Sequence, residues 1–199
     1  MAVGHDEVMD GLRRDSDVSP VHHQPDRRSP LVFEMHELAR QAGTMKQVTT
    51  TVPAPADLGN EVIGVPQDSD IELDLRFEAV TEGVLVTGTA TVQLRGQCAR
   101  CLDDIEDEES FDVQELYFYP GREIEDDEAQ IVEEMIDLDE ALRDAVVLEL
   151  PFTPLCEEDC LGLCPQCGFN RNDDPDHTHE QQIDPRWSKL SGLTGDTQD

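Results

Sequence analysis

Between Ile71 and Leu94 apolar and polar residues alternate so regularly that a two-sided β-hairpin is the one simple structure that accommodates them. Ile71, Leu73, Leu75, Phe77 and Ala79 alternate with Glu72, Asp74, Arg76 and Glu78, and Val84, Val86, Gly88, Ala90, Val92 and Leu94 repeat the period. A period of two sends one set to a core face and the other to water. The link Val80–Gly83 is short and ends in glycine, so the two runs are expected to pair antiparallel. Phe111, Val113 and Tyr117 on one face, with Leu116 and Phe118 on the other, supply a third strand. Upstream, Leu31–Met35 is expected as a short strand and residues 38–41 as a brief helical turn stopped at Gly43. Lys46–Val52 is expected as a β-branched strand closed by Pro53 and Pro55.

Further on the period changes. Leu138, Ala141, Leu142, Ala145 and Val146 recur at helical spacing, with Asp137 and Glu140 in the positions of a capping box and Pro151 at the far end. The expected fold class is therefore α+β: a mainly antiparallel sheet with one packed amphipathic helix and a cysteine-rich zinc-knuckle region. Residues 30–172 form that domain, with a disordered leader at 1–29 and a disordered acidic tail at 173–199.

Charge narrows the function. Lys and Arg number 14 against 46 Asp and Glu, a formal net charge of −32. Such a surface repels phosphate backbones and suits a basic protein partner. The run Glu123, Glu125, Asp126, Asp127, Glu128 must lie at the surface, because burying it would cost too much desolvation. The first thirty residues contain no apolar signal-peptide core and no stretch reaches transmembrane length, so the expected location is the reducing cytoplasm. There, thiols are free to bind metal.

All six cysteines fall in two blocks: Cys98 and Cys101 in a CARC sequence, and Cys156, Cys160, Cys164 and Cys167 in a second run that ends in a CPQCG sequence. Two residues between cysteines let both thiolates face one tetrahedral ion while turn amides donate to sulfur. One structural Zn2+ needs four ligands, and six candidates are present. Cys98, Cys101, Cys164 and Cys167 are the preferred set; Cys98, Cys101, Cys156 and Cys160 are a close rival, and the four C-terminal cysteines a third. A thiolate-only shell leaves no open position for catalysis. His22-His23 and the pair His177 and His179 are expected to be solvated. The segment around Trp187 is an amphipathic island that docks on the domain or on a partner. Arg95, Arg100, Arg171 and Lys189 are the cations nearest the cysteine blocks and the places to seek RNA contact. Neither a phosphate-binding glycine loop, nor a GxSxG elbow, nor an HExxH pair is present, and no enzymatic activity is expected.

The block from Leu150 through Cys156, Cys160, Gly162, Cys164, Cys167, Gly168, Asn170 and Asn172, together with Cys98-Ala99-Arg100-Cys101-Leu102, resembles the YceD family of large ribosomal RNA subunit accumulation proteins. The resemblance covers about residues 30–172. It implies a non-enzymatic role in ribosome biogenesis in bacteria and plastids, supporting accumulation or processing of 23S rRNA. It also implies structural roles for the six cysteines, Arg100, Gly162, Gly168, Asn170 and Asn172, and no catalytic residues. The expected partner is a large-subunit precursor, met through a basic ribosomal protein or through its rRNA, with neither membrane nor small-molecule substrate involved. A zinc-linked redox or stress regulator is the alternative.

Overall fold

The computed structural model describes residues 24–36, 38, 42–121 and 128–179. Most of the expected leader and tail, the island around Trp187, Lys189, His22-His23, the acidic residues 123–127 and most of the turn at 38–41 lie outside the described residues.

The described chain runs β1 (Val32–Glu34), β2 (Met45–Pro53), β3 (Ile63–Gly64), β4 (Asp70–Ala79), β5 (Gly83–Gln97), β6 (Asp104–Phe118), β7 (Met135–Asp137) and α1 (Asp139–Glu149). The main sheet is antiparallel, with β2 on β4, β4 on β5 and β5 on β6. Because β6 pairs with β5 along its whole length, the two-residue β3 takes the other side of β5 at Arg95 and Gly96, beyond the end of β4. The expected β4–β5 hairpin forms in the register that the alternation requires: Leu73 faces Ala90, which faces Phe111, while Phe77 faces Val86. Ile71, Leu75, Phe77, Val86 and Ala90 are wholly inaccessible.

The third strand is longer than its apolar residues indicate. It begins at Asp104 and pairs with β5 through Gln97↔Asp104, so an acidic half-strand precedes the apolar one. Nearly all of residues 104–110 is exposed, because this end of the hairpin projects past β4 and no layer covers it. Alternation is a signature of one-sided burial and vanishes where burial does.

Two features concern the ends of the core. β1 does not join the main sheet; it pairs with β7, placing Phe33 opposite Ile136 and leaving the Phe33 ring 5.4 Å from Phe77. The helix forms as expected and buries Leu142 and Val146 against β6, with Leu138 and Leu150 buried at its two ends. Its N-cap, however, is Leu138, and no capping box closes: the Asp137 carboxylate instead accepts from the Asp139 amide at 3.1 Å. Among the described residues no helix is long and apolar enough to cross a membrane.

Candidate metal centre

The projecting β5–β6 hairpin ends in the loop that carries Cys98 and Cys101. Its turn is held by Leu102 N–H donating to the Cys98 carbonyl at 2.9 Å and by Cys98 N–H donating to the Asp103 carbonyl at 2.8 Å. Leu102 adopts a left-handed φ of 63°, which reverses the chain within a few residues. Against this tip lies the segment that follows α1. Pro151 ends the helix, and the Pro154 carbonyl accepts from Ala99 N–H at 2.8 Å, which brings Cys156 and Cys160 to the loop.

The result is four sulfurs around one point. Cys98 Sγ lies 3.7 Å from Cys160 Sγ, Cys101 Sγ lies 3.5 Å from Cys156 Sγ, and all four atoms are within 4.8 Å of one another. A tetrahedral Zn–S shell with bonds of about 2.3 Å requires sulfur separations of about 3.8 Å, which these match. None of the six cysteines is in a disulfide. Cys98, Cys101 and Cys160 are buried, with Ile105, Leu155 and Leu163 packed around them, while Cys156 is exposed.

Local dipoles prepare the sulfurs. Burial pushes the Cys98 thiol up, but backbone amides of Cys101, Cys156 and Arg100 outweigh it and bring the group down to about 6. The Arg100 amide is 3.4 Å from that sulfur. Burial holds the Cys101 thiol far above its ordinary range, with the neighbouring sulfurs adding to the effect. Without metal, the pair thus favours one thiolate beside one thiol; a cation would draw the second proton off.

A second layer orients the ligands. Asn172 donates its side-chain amide to Cys160 Sγ at 3.3 Å and accepts from Leu161 N–H at 2.7 Å. Arg100 binds the Cys160 carbonyl through Nη1 at 2.9 Å, and its own carbonyl accepts from Leu163 N–H at 3.0 Å. That close approach is why residue 162 is glycine: its φ is 72°, and a Cβ there would meet the Arg100 carbonyl at 3.0 Å. Asn170 bridges the blocks by donating to the Asp103 carboxylate at 2.8 Å and accepting from Asn172 N–H at 3.1 Å. Structural roles for Arg100, Gly162, Asn170 and Asn172 were what the resemblance implied, and each has a distinct contact.

The grouping differs from the preferred reading of the sequence. Cys98 and Cys101 meet Cys156 and Cys160, the rival set, and do not meet Cys164 and Cys167. Spacing alone favoured the two CxxC pairs, but the Pro154–Ala99 hydrogen bond brings the looser Cys156/Cys160 pair to the hairpin first. Cys164 and Cys167 instead face His177 and His179, the histidines expected to be solvated, and the donor atoms of these four residues lie within 4.8 Å of one another. Each cluster could hold a metal ion, which makes two candidate sites among the described residues where the sequence suggested one. A signal for the second was present: a CPxCG knuckle short of two ligands, with an HxH pair ten residues beyond its last cysteine. That spacing departs from the usual zinc-finger pattern, in which three to five residues separate the histidines.

Two other cations named from the sequence lie among the described residues. Arg95 pairs with Glu106 at 3.3 Å on the exposed sheet face, and the Arg171 amide donates to the Gly162 carbonyl.

Comparison with known proteins places the chain in a family. The chain is 42% identical to an uncharacterized protein of Mycobacterium tuberculosis over 198 residues, covering 95% of each. It is 37% identical to an uncharacterized protein of Mycobacterium leprae over 194 residues, covering 94% of this chain and 89% of the other. Uncharacterized protein YlbN of Bacillus subtilis is 24% identical over 165 residues, 81% of this chain and 94% of that one. No solved structure matches the chain significantly. The family model described as large ribosomal RNA subunit accumulation protein YceD matches residues 86–194, a span that contains all six cysteines and both histidines of the two clusters. The chain belongs to the YceD family.

Proposed function

We propose that this protein is a non-enzymatic, cytoplasmic factor in large-subunit biogenesis, which supports accumulation or processing of 23S rRNA. In this reading a structural Zn2+ held by Cys98, Cys101, Cys156 and Cys160 fixes the C-terminal block to the β5–β6 hairpin. The observation that carries it is membership of a family described as large ribosomal RNA subunit accumulation proteins. The four-sulfur cluster supports the zinc, since thiolates at these separations suit a tetrahedral soft-ligand ion and leave it no open coordination position.

Charge supports an adaptor that meets the precursor through a basic ribosomal protein. The solvent face of the sheet carries Glu72 and Asp74 on β4 and Asp104, Glu106, Glu108 and Asp112 on β6. Arg76 and Arg95 on that face are already paired with Glu78 and Glu106. A basic protein meets complementary potential there, whereas bare RNA meets repulsion. Depleting the protein from its host tests the proposal directly: large-subunit rRNA should fall relative to small-subunit rRNA and recover on re-expression. Unchanged ratios after depletion would overturn it.

A further inference from the structure

Beyond the four-cysteine cluster, we propose a second Zn2+ site, formed by Cys164, Cys167, His177 and His179, that exchanges its ion while the first retains its own. Neither its argument nor its test depends on the ribosomal reading.

Cys167 Sγ is 3.3 Å from His177 Nε2 and 3.2 Å from His179 Nε2, and the two imidazole nitrogens are 2.9 Å apart. Two N–H···S hydrogen bonds would account for both sulfur contacts, but each imidazole nitrogen holds at most one proton, so the two donors would then face each other at 2.9 Å with no proton to share. Three donor atoms in mutual contact, with a fourth from Cys164 inside 4.8 Å, is the arrangement a shared cation produces. Tetrahedral Zn2+ with two sulfur and two nitrogen ligands sets their separations at roughly 3.3–3.8 Å, and the observed 2.9–3.3 Å lie at and just below the short end of that range. Two thiolates and two imidazoles favour zinc over the hard cations, which take oxygen.

The surroundings hold the ligands in place. Gly168 N–H donates to the Cys164 carbonyl at 2.8 Å and Cys164 N–H to the Phe169 carbonyl at 2.7 Å, closing a tight knuckle. Gly168 has a φ of 74°, which glycine takes without penalty. The Phe169 ring stacks on His177 with centroids 4.6 Å apart, which fixes that imidazole, and His177 N–H donates to the Asp174 carbonyl at 3.1 Å. A merely solvated imidazole does not need the Phe169 stacking.

Exchange follows from placement. All four ligands lie between residues 164 and 179, and Cys167 and His179 are exposed. Losing this ion would release only the local turn that ties Asp173–His179 to the knuckle. The four-cysteine cluster instead joins segments more than fifty residues apart and buries three of its sulfurs. Its ion is shielded, and its loss would detach the whole C-terminal block. The second site is therefore a clasp on the segment that follows the knuckle, closed when zinc is plentiful and open when it is scarce.

The full-length chain, reconstituted with Zn2+ alone, should bind two ions per molecule by native mass spectrometry. A colorimetric chelator should remove one of them at least tenfold faster than the other. The H177A/H179A double variant should hold one ion, the slowly released one, with an unchanged far-ultraviolet circular dichroism spectrum. Fewer than two ions in the wild type, two ions leaving at a common rate, or a double variant that still holds two would each overturn the proposal.

Discussion

Asn172 is the residue whose side chain does most for the four-cysteine cluster without being a ligand. Its amide nitrogen reaches Cys160 Sγ at 3.3 Å and its oxygen takes the Leu161 amide at 2.7 Å, so one planar group holds both the sulfur and the path of the chain beside it. Second-layer partners of this kind typically change metal affinity about 10- to 100-fold. Asn172→Ala should therefore weaken the tightly held ion by that factor in a chelator competition, with the fold retained. An affinity equal to that of the wild type would show that the Cys160 sulfur needs no such donor. The six cysteines were legible as metal-binding candidates because their spacing is chemical in origin. Their partition was not, since it depends on which segment the Pro154 carbonyl draws against Ala99. The convergence of His177 and His179 on the knuckle was not legible, because acidic, polar neighbours make a histidine look solvated and the knuckle they face ends ten residues before His177.

At the scale of elements, β4 and β5 could be read almost residue by residue, because one face is buried throughout and burial writes a period of two into the sequence. β1, β3 and β7 are two or three residues long and cannot display a period. The apolar stripe of α1 was legible, but its capping was not, since Asp137 turned out to pair with the nearer amide of Asp139. β6 contains one departure from its own pattern. Glu115 stands opposite Val86, on the face that Phe111, Val113 and Tyr117 bury. Burial raises its pKa, the Leu116 amide partly opposes this, and Asp144 and Glu140 raise it further. A carboxyl whose folded pKa is raised is penalised in its ionised form, so at pH 7 it subtracts from stability, and the penalty disappears once the pH falls below its ordinary value. Glu115→Gln, which keeps the oxygen that accepts from Leu116, should raise the melting temperature at pH 7 and lose that advantage below about pH 4. A gain that persists undiminished in acid would point to packing instead of charge.

Over the whole molecule, two sequence blocks far apart in the chain meet at one end of a single sheet. The β5–β6 hairpin carries the first block away from the core, α1 returns the chain beside β6, and Pro151–Pro154 turns the second block onto the hairpin tip. Little apolar surface holds this junction together: its buried cluster consists of three cysteines with Ile105, Leu155 and Leu163 packed against them. Metal ligation would add to so small a core, because binding free energy at such sites acts as folding free energy. The charge of −32 was legible at once and constrains the partner's chemistry, yet composition could not say where it gathers; the sheet places much of it on one open face. The central claim is that Cys98, Cys101, Cys156 and Cys160 hold one ion that joins these blocks. Zinc content measured across the six single Cys→Ser variants tests it most directly. The slowly released ion should be lost, or weakened by orders of magnitude, in C98S, C101S, C156S and C160S, and kept in C164S and C167S. If C164S and C167S lose that ion together with C98S and C101S, while C156S and C160S retain it, the account is contradicted.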